Sequence, residues 1–141
     1  DRRSFETAVS VAASLAIAGS GEARTVSMHT SDEWIPTASR VAMLDALSEM
    51  EVSVRRDFEA VVRRCVMERG AISALSIVVG EGTSDDEASR LANIAPIDVA
   101  VSVIRVVPGS ARRRRRMSRG VIIDCPSLED LPMLVSRGVS A

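Results

Sequence analysis

The chain has no lysine and no tyrosine among its 141 residues, and only one histidine. All 18 basic residues are therefore arginines, which excludes Schiff-base chemistry through a lysine amine and catalysis through a tyrosine phenol. Aromatic residues amount to 2%, so the interior must be filled by Val, Ala, Leu, Ile and Met. Cysteine is scarce as well. Cys65 and Cys125 stand far apart with no CxxC or Cys/His spacing, which fits free, partly buried thiols in a reducing compartment better than a disulfide framework. Long apolar runs are also missing. The opening DRRSFETAVSVAASLAIAGSGEA sets Arg2-Arg3 before an apolar stretch, in the manner of an export signal, but Glu6 interrupts it. The run to Gly19 is also short of the roughly 20 residues a membrane span needs, so a core helix is expected there.

What is present is a globular balance, with 46% hydrophobic and 26% charged residues, in a length that suits one domain with a core of its own. The formal net charge of -1 hides an asymmetry. Residues 109 to 120 read GSARRRRRMSRG, and setting aside their six arginines leaves 12 basic against 19 acidic residues, a balance of -7. Because the chain starts at Asp1 rather than Met, it is expected to be a piece of a longer protein.

Periodicity along the chain alternates between helix and strand. Phe5, Val9, Ala12, Ala13, Ala16 and Ile17 recur at helical spacing, with Ser4 as a candidate cap and Gly19 to Gly21 as the stop. Residues 23 to 29, ARTVSMH, read as a strand. Thr37 or Ser39 is placed to cap a helix holding Val41, Leu44 and Leu47. From Ser53, the positions Val54, Phe58, Val61, Val62, Cys65 and Val66 make a longer amphipathic helix ending at Gly70. ISALSIVV at 72 to 79 reads as a buried strand. Ser84 with Glu87 forms a capping-box pattern for a helix carrying Ala88, Leu91 and Ile94 and stopping before Pro96. DVAVSVIRVV at 98 to 107 and VIID at 121 to 124 read as further strands, and Ser127 with Asp130 opens a final helix with Leu128, Leu131, Leu134 and Val135. Such alternation with short connections predicts one α/β domain over residues 1–141, built as three layers around a doubly wound, mainly parallel sheet.

Several stretches carry candidate chemistry. The loop GEGTSDDE at 80 to 87 follows a strand and opens a helix, where glycine-rich loops cradle phosphate. It has no lysine, its glycine spacing is too short for a P-loop, and Glu81, Asp85, Asp86 and Glu87 repel anions. Its carboxylates suit a helix N-terminus instead, with a divalent cation on Glu81, Thr83 and Asp85 as an alternative. His29, at a strand end, needs a partner for acid–base work, and Asp32 and Glu33 are near enough to supply one. No Ser/His/Asp or Cys/His constellation is legible. The tract Arg112, Arg113, Arg114, Arg115, Arg116 and Arg119 has the charge to bind phosphate, but no aromatic side chains lie nearby for stacking. Residues 109–120 are expected to be a flexible basic connector between two strands, with contact to an acidic partner or anionic lipid as the next reading.

The stretch SFETAVSVAASLA, residues 4 to 16, resembles the FE-A-VS-AAS-A signature of the bacterial domain-of-unknown-function family numbered fifty-eight. That resemblance implies a von Willebrand factor A-like fold at the C-terminal end of a larger membrane-anchored protein, often encoded beside a MoxR-type AAA+ ATPase. Asp1 falls about where the first, central strand of that fold should end, so this strand is expected to be lacking. Either strands 23–29 and 72–79 then pair directly or copies of the chain associate through open edges. The DxSxS loop that holds metal in true von Willebrand A domains has no counterpart in DRRSF, and Gly80 and Glu81 stand where the family often has Asp, so no adhesion-type metal site and no cofactor are expected.

The combined expectation is a non-enzymatic protein-interaction module in the cytoplasmic part of a membrane-anchored protein, partnered by an AAA+ ATPase. Its contact face would be formed by His29, Asp32, Glu33, Glu81, Thr83 and Asp85 at the C-terminal strand ends. The alternatives are nucleic-acid or anionic-lipid binding through Arg112 to Arg116, and a divalent-metal hydrolase using His29 and the acidic loop.

Overall fold

The strongest strand signal in the sequence lies at the centre of the fold. In a computed structural model, which describes residues 2–21, 28–29, 34–35, 40–48, 58–69 and 74–130, Ala100–Val106 forms strand β4. It pairs in parallel with β3, Ala74–Val79, on one side and with β6, Val121–Cys125, on the other. A fourth strand, β5, covers Arg113–Arg116 and runs antiparallel to β6, giving the order β3-β4-β6-β5.

Helices cover both faces of this sheet, because side chains alternate across a strand. Val101, Val103 and Ile122 join Ile77 and Val79 in a core with Ala88, Leu91 and Ala92 of α4 (Asp85–Ile94) and Val62 of α3 (Phe58–Arg69). The opposite face sets Ile104, Val106, Ile123 and Cys125 against Val11 of α1 (Arg2–Gly21), with Ala8 and Leu15 alongside. Small residues on α1 allow the close approach that an aromatic-poor core requires. The expected three-layer, mainly parallel α/β arrangement is therefore present.

Four expectations need correction. The first helix begins at Arg2, so Ser4 lies inside α1 and is not its cap. Of the strand expected at 23–29, residues 28–29 form β1, Met28–His29, which pairs antiparallel with β2, Trp34–Ile35, apart from the main sheet, while residues 23–27 lie outside the described residues. Direct pairing of that strand with 72–79 does not occur among the described residues, because β2 is its partner and β3 pairs with β4. Helix α2, Arg40–Ser48, buries Met43 and leaves Val41 and Leu44 exposed. Its contact is with Ala13 and Ala16 of α1 and with Ile35, which selects the Met43–Ala46 side of the helix. The fourth correction concerns the arginine tract, expected as a connector. Its central four residues form a strand of the sheet. The capping positions Thr37 and Ser39, residues 53–57 of the third expected helix, and the final helix beyond Asp130 lie outside the described residues.

The path into β5 explains how four consecutive arginines enter a sheet. After β4 the chain makes a type II turn at Val107–Ser110, with Pro108 second, Gly109 third at φ 80°, and Ser110 N–H donating to the Val107 carbonyl at 3.2 Å. It then crosses to the far side of β6, descends as β5 and returns through Met117–Gly120, where Met117 N–H donates to the Gly120 carbonyl at 3.0 Å. Gly120 has φ 77°, and a Cβ there would sit 2.2 Å from the Val101 carbonyl oxygen on β4. Both the backbone conformation and the close approach demand glycine. Gly109, also at positive φ, has open space around it. Gly120→Ala is expected to destabilise the fold by at least about 2 kcal/mol and Gly109→Ala by about 1 kcal/mol. Denaturant unfolding of the two variants checks this, and equal losses would contradict the close-approach argument.

Candidate functional site

In an open parallel sheet the C-terminal strand ends are the customary place for ligands. Here that end is occupied by a closed cycle of four charged side chains. Arg105 and Asp124 are register partners on β4 and β6, and both fall on the strand face that packs under α4. Two ionic side chains on an otherwise apolar face must find each other or lose stability. Arg105 Nε donates to Asp124 Oδ1 at 2.8 Å, with the two side chains 13% and 12% exposed. Arg105 Nη1 reaches the β3–α4 loop, donating to the Thr83 carbonyl and to Asp85 Oδ1, both at 2.9 Å. Arg115 closes the cycle from β5, donating to Asp85 through Nη1 at 2.8 Å and Nη2 at 3.1 Å. Its Nη2 also stands 3.8 Å from Asp124 Oδ2.

The cycle ties three strands to one helix start. Thr83 is buried in a turn closed by its own N–H on the Gly80 carbonyl at 3.2 Å. Ser84 caps α4 by accepting from Glu87 N–H at 3.1 Å, the backbone half of the expected capping box. Asp85, the first helical residue, therefore sits where the helix dipole favours a carboxylate. The hydrogen bond from Arg115, helped by that from Arg105 and by the charge of both, lowers the Asp85 carboxyl from 3.8 to about 2 against a smaller effect of burial. The same contacts raise both guanidinium groups above their ordinary range, Arg105 chiefly through Asp124 and Arg115 chiefly through Asp85.

The far end of α4 is met by the same segment of chain. Arg119, in the turn after β5, donates to the Ala95 carbonyl at 3.0 Å and the Pro96 carbonyl at 2.7 Å. A cation at the helix C-terminus is favoured by the dipole and satisfies terminal carbonyls. Arg112 lies 3.5 Å from Asp130. Arg113 and Arg116 are exposed, Arg114 is half-buried, and none of these three has a carboxylate partner among the described residues. The tract thus divides into arginines spent on the fold and arginines left on the sheet edge.

The contact face expected from the sequence is not assembled as a unit. Glu81 is exposed in the β3–α4 loop, Thr83 is buried, and both Asp85 oxygens accept from guanidinium groups. A cation on Glu81, Thr83 and Asp85 would have to displace those donors. His29 lies in the β1–β2 hairpin, and Asp32 and Glu33 lie outside the described residues. Among the described residues, no three His, Cys, Asp or Glu side chains converge as metal ligands, and no helix is long and apolar enough to cross a membrane. Cys65 and Cys125 are not joined in a disulfide. Cys125 is buried, its Sγ donates to the Ser127 carbonyl at 2.9 Å, and burial raises its pKa, all of which oppose a nucleophilic thiolate. Ser127 Oγ donates to Asp130 Oδ2 at 2.9 Å at the start of a 3₁₀ turn, Leu128–Asp130, a contact between side chains, while the remainder of the helix that Ser127 was expected to cap lies outside the described residues. Sequence reading passed over Arg105 and Asp124. Their parity was the available signal, since each shares a strand face with the apolar residues two positions earlier, Val103 and Ile122.

Two expected outcomes follow from the cycle. Arg105→Met leaves Asp124 buried beside a distant second cation and should cost about 3 kcal/mol, whereas Arg105→Met with Asp124→Leu should return to within about 1 kcal/mol of the parent. Chemical denaturation of the single and double variants measures both, and equal destabilisation by the two would contradict the pairing. The depressed Asp85 carboxyl contributes stability that is fully present above 3.8 and is lost as pH falls toward about 2. Asp85→Asn should therefore flatten the fall in stability across that acidic window, and an unchanged acid profile would show that the Asp85 contacts do not persist in solution.

Comparison of the chain with protein-family models, with curated proteins and with solved structures gives no match.

Proposed function

We propose that this chain is a non-enzymatic protein-interaction module that engages an acidic partner through the β5 edge of its sheet. The observation that carries the reading is the set Arg113, Arg114 and Arg116 on that edge, without carboxylate partners among the described residues. Positive charge without a described carboxylate partner there stands out against a chain whose other residues, 15 basic against 19 acidic, sum to -4, and such asymmetry steers association with complementary surfaces. The contact surface proposed here is thus displaced from the His29-to-Asp85 loops to the arginine strand. A hydrolase built on the acidic loop is disfavoured, because Asp85 and Asp124 are already engaged by Arg105 and Arg115.

The von Willebrand A-like form of the fold belongs to the same proposal. Three parallel strands laid down in one direction with helices on both faces support it. The resemblance of residues 4 to 16 adds a cytoplasmic position in a membrane-anchored parent and a MoxR-type AAA+ ATPase as partner.

The test compares three polyanions at matched ionic strength: polyglutamate, a single-stranded oligonucleotide, and vesicles containing an anionic lipid. Polyglutamate should bind. Arg113→Gln with Arg116→Gln should weaken that binding about fivefold while leaving the unfolding midpoint unchanged, since exposed charges contribute little to stability. Preferential binding of the oligonucleotide or the vesicles would transfer the tract to nucleic-acid or lipid recognition.

A further inference from the structure

Backbone geometry makes the β5 edge more specific than a charged patch. In an antiparallel pair, directly opposed residues alternate between those that exchange N–H and C=O bonds and those whose groups point away from the partner strand. The phase of this alternation is fixed twice. Met117 N–H donates to the Gly120 carbonyl, which makes Met117 and every second residue before it, Arg115 and Arg113, the residues bonded to β6. On the other side of β6, the Cys125 carbonyl accepts from Val107 N–H, so Cys125 turns toward β4 and Asp124 and Ile122 turn toward β5. Both observations leave the N–H and C=O of Arg114 and Arg116 pointing outward, and no strand lies beyond β5 among the described residues.

We propose that β5 is a docking strand that takes up an extended acidic segment of a protein partner by antiparallel strand addition. This inference rests on the interaction-module reading and names the chemistry of the partner. Each of Arg114 and Arg116 can exchange two backbone bonds with one residue directly opposite. That residue's side chain then stands on the same sheet face as the arginine it meets. Carboxylates at alternate positions of the incoming segment therefore face Arg114 and Arg116, and residues between them fall on the face of Arg113 and of Arg115, which Asp85 already holds. The Nε of Arg114 has no hydrogen-bond acceptor among the described residues. A second copy is a poor occupant, since β5 against β5 opposes arginine to arginine, the arrangement that protects natural edges from self-pairing. A nucleic acid supplies charge but cannot match an alternating row of amide donors and carbonyl acceptors.

The probe is an eight-residue peptide alternating Glu and Val, compared with the same peptide N-methylated on its Glu residues and with one N-methylated on its Val residues. The intact chain should bind the parent and the Val-methylated peptide alike, and the Glu-methylated peptide at least tenfold more weakly. On binding, the Arg114 and Arg116 amides should gain at least tenfold protection from hydrogen exchange, while those of Arg113 and Arg115, already bonded to β6, stay unchanged. Equal binding of all three peptides, with no protection at Arg114 and Arg116, would overturn strand addition while leaving an acidic-partner interface standing. Failure of every acidic peptide and of polyglutamate to bind would overturn both.

Discussion

The arrangement of this domain depends on one closed cycle of charges, Asp124–Arg105–Asp85–Arg115. Five consecutive arginines have every electrostatic reason to stay in water as an extended, self-repelling loop. Arg115 reverses that preference, because its planar fork meets both oxygens of Asp85 and approaches Asp124. Asp85 is available only because Ser84 starts α4 at that point, and Asp124 is accommodated on the buried sheet face because Arg105, its register partner, donates to it. Removing Arg105 or Asp124 leaves the other buried with an unmet desolvation cost, and the contacts of Asp85 and Arg115 extend the pair so that the cycle joins the central strands, the start of α4 and the edge strand.

Helix α4 is held by β5 and its turn at both ends. Its N-terminus presents Asp85 to Arg115, and its C-terminal carbonyls accept from Arg119. The turn that carries Arg119 is pressed against Val101 so closely that only glycine fits at position 120. A stretch that looks like a single run of charge is thus three things in succession: an anchor to Asp130 at Arg112, a strand with one inward arginine, and a helix cap. What lacks a carboxylate partner among the described residues, Arg113, Arg114 and Arg116, lies along an edge with no further described strand beside it, and the surplus has a direction as well as a sign.

Much of the layer structure was legible in the sequence, for physical reasons. β3, β4 and β6 are short apolar runs between turn residues, and α4 has a cap, an apolar stripe and a proline stop within the thirteen residues from Ser84 to Pro96. The tract was misread because arginine has neither apolar nor alternating character. Its strand state comes from pairing to β6 and from carboxylates that are 30 and 9 residues away from Arg115 in sequence. Such non-local pairing overrides local propensity, which for strands is mainly a report on neighbours. The candidate site was less legible than the fold. His29 stood out as the single histidine and Asp85 as part of an acidic loop at an element end, whereas Arg105 and Asp124 were concealed within apolar strands. Only the period of two marks them as inward-facing, and only the register across β4 and β6 shows that they meet.

The account stands on the arginine tract being a paired strand. Non-bonded antiparallel pairs bring their Cα atoms to about 4.5 Å, so nuclear Overhauser contacts between the Hα protons of Arg114 and Ile123, and of Arg116 and Val121, report that strand directly. The account predicts that both contacts are present in the isolated chain. Random-coil shifts through residues 112 to 117 with neither contact would contradict it.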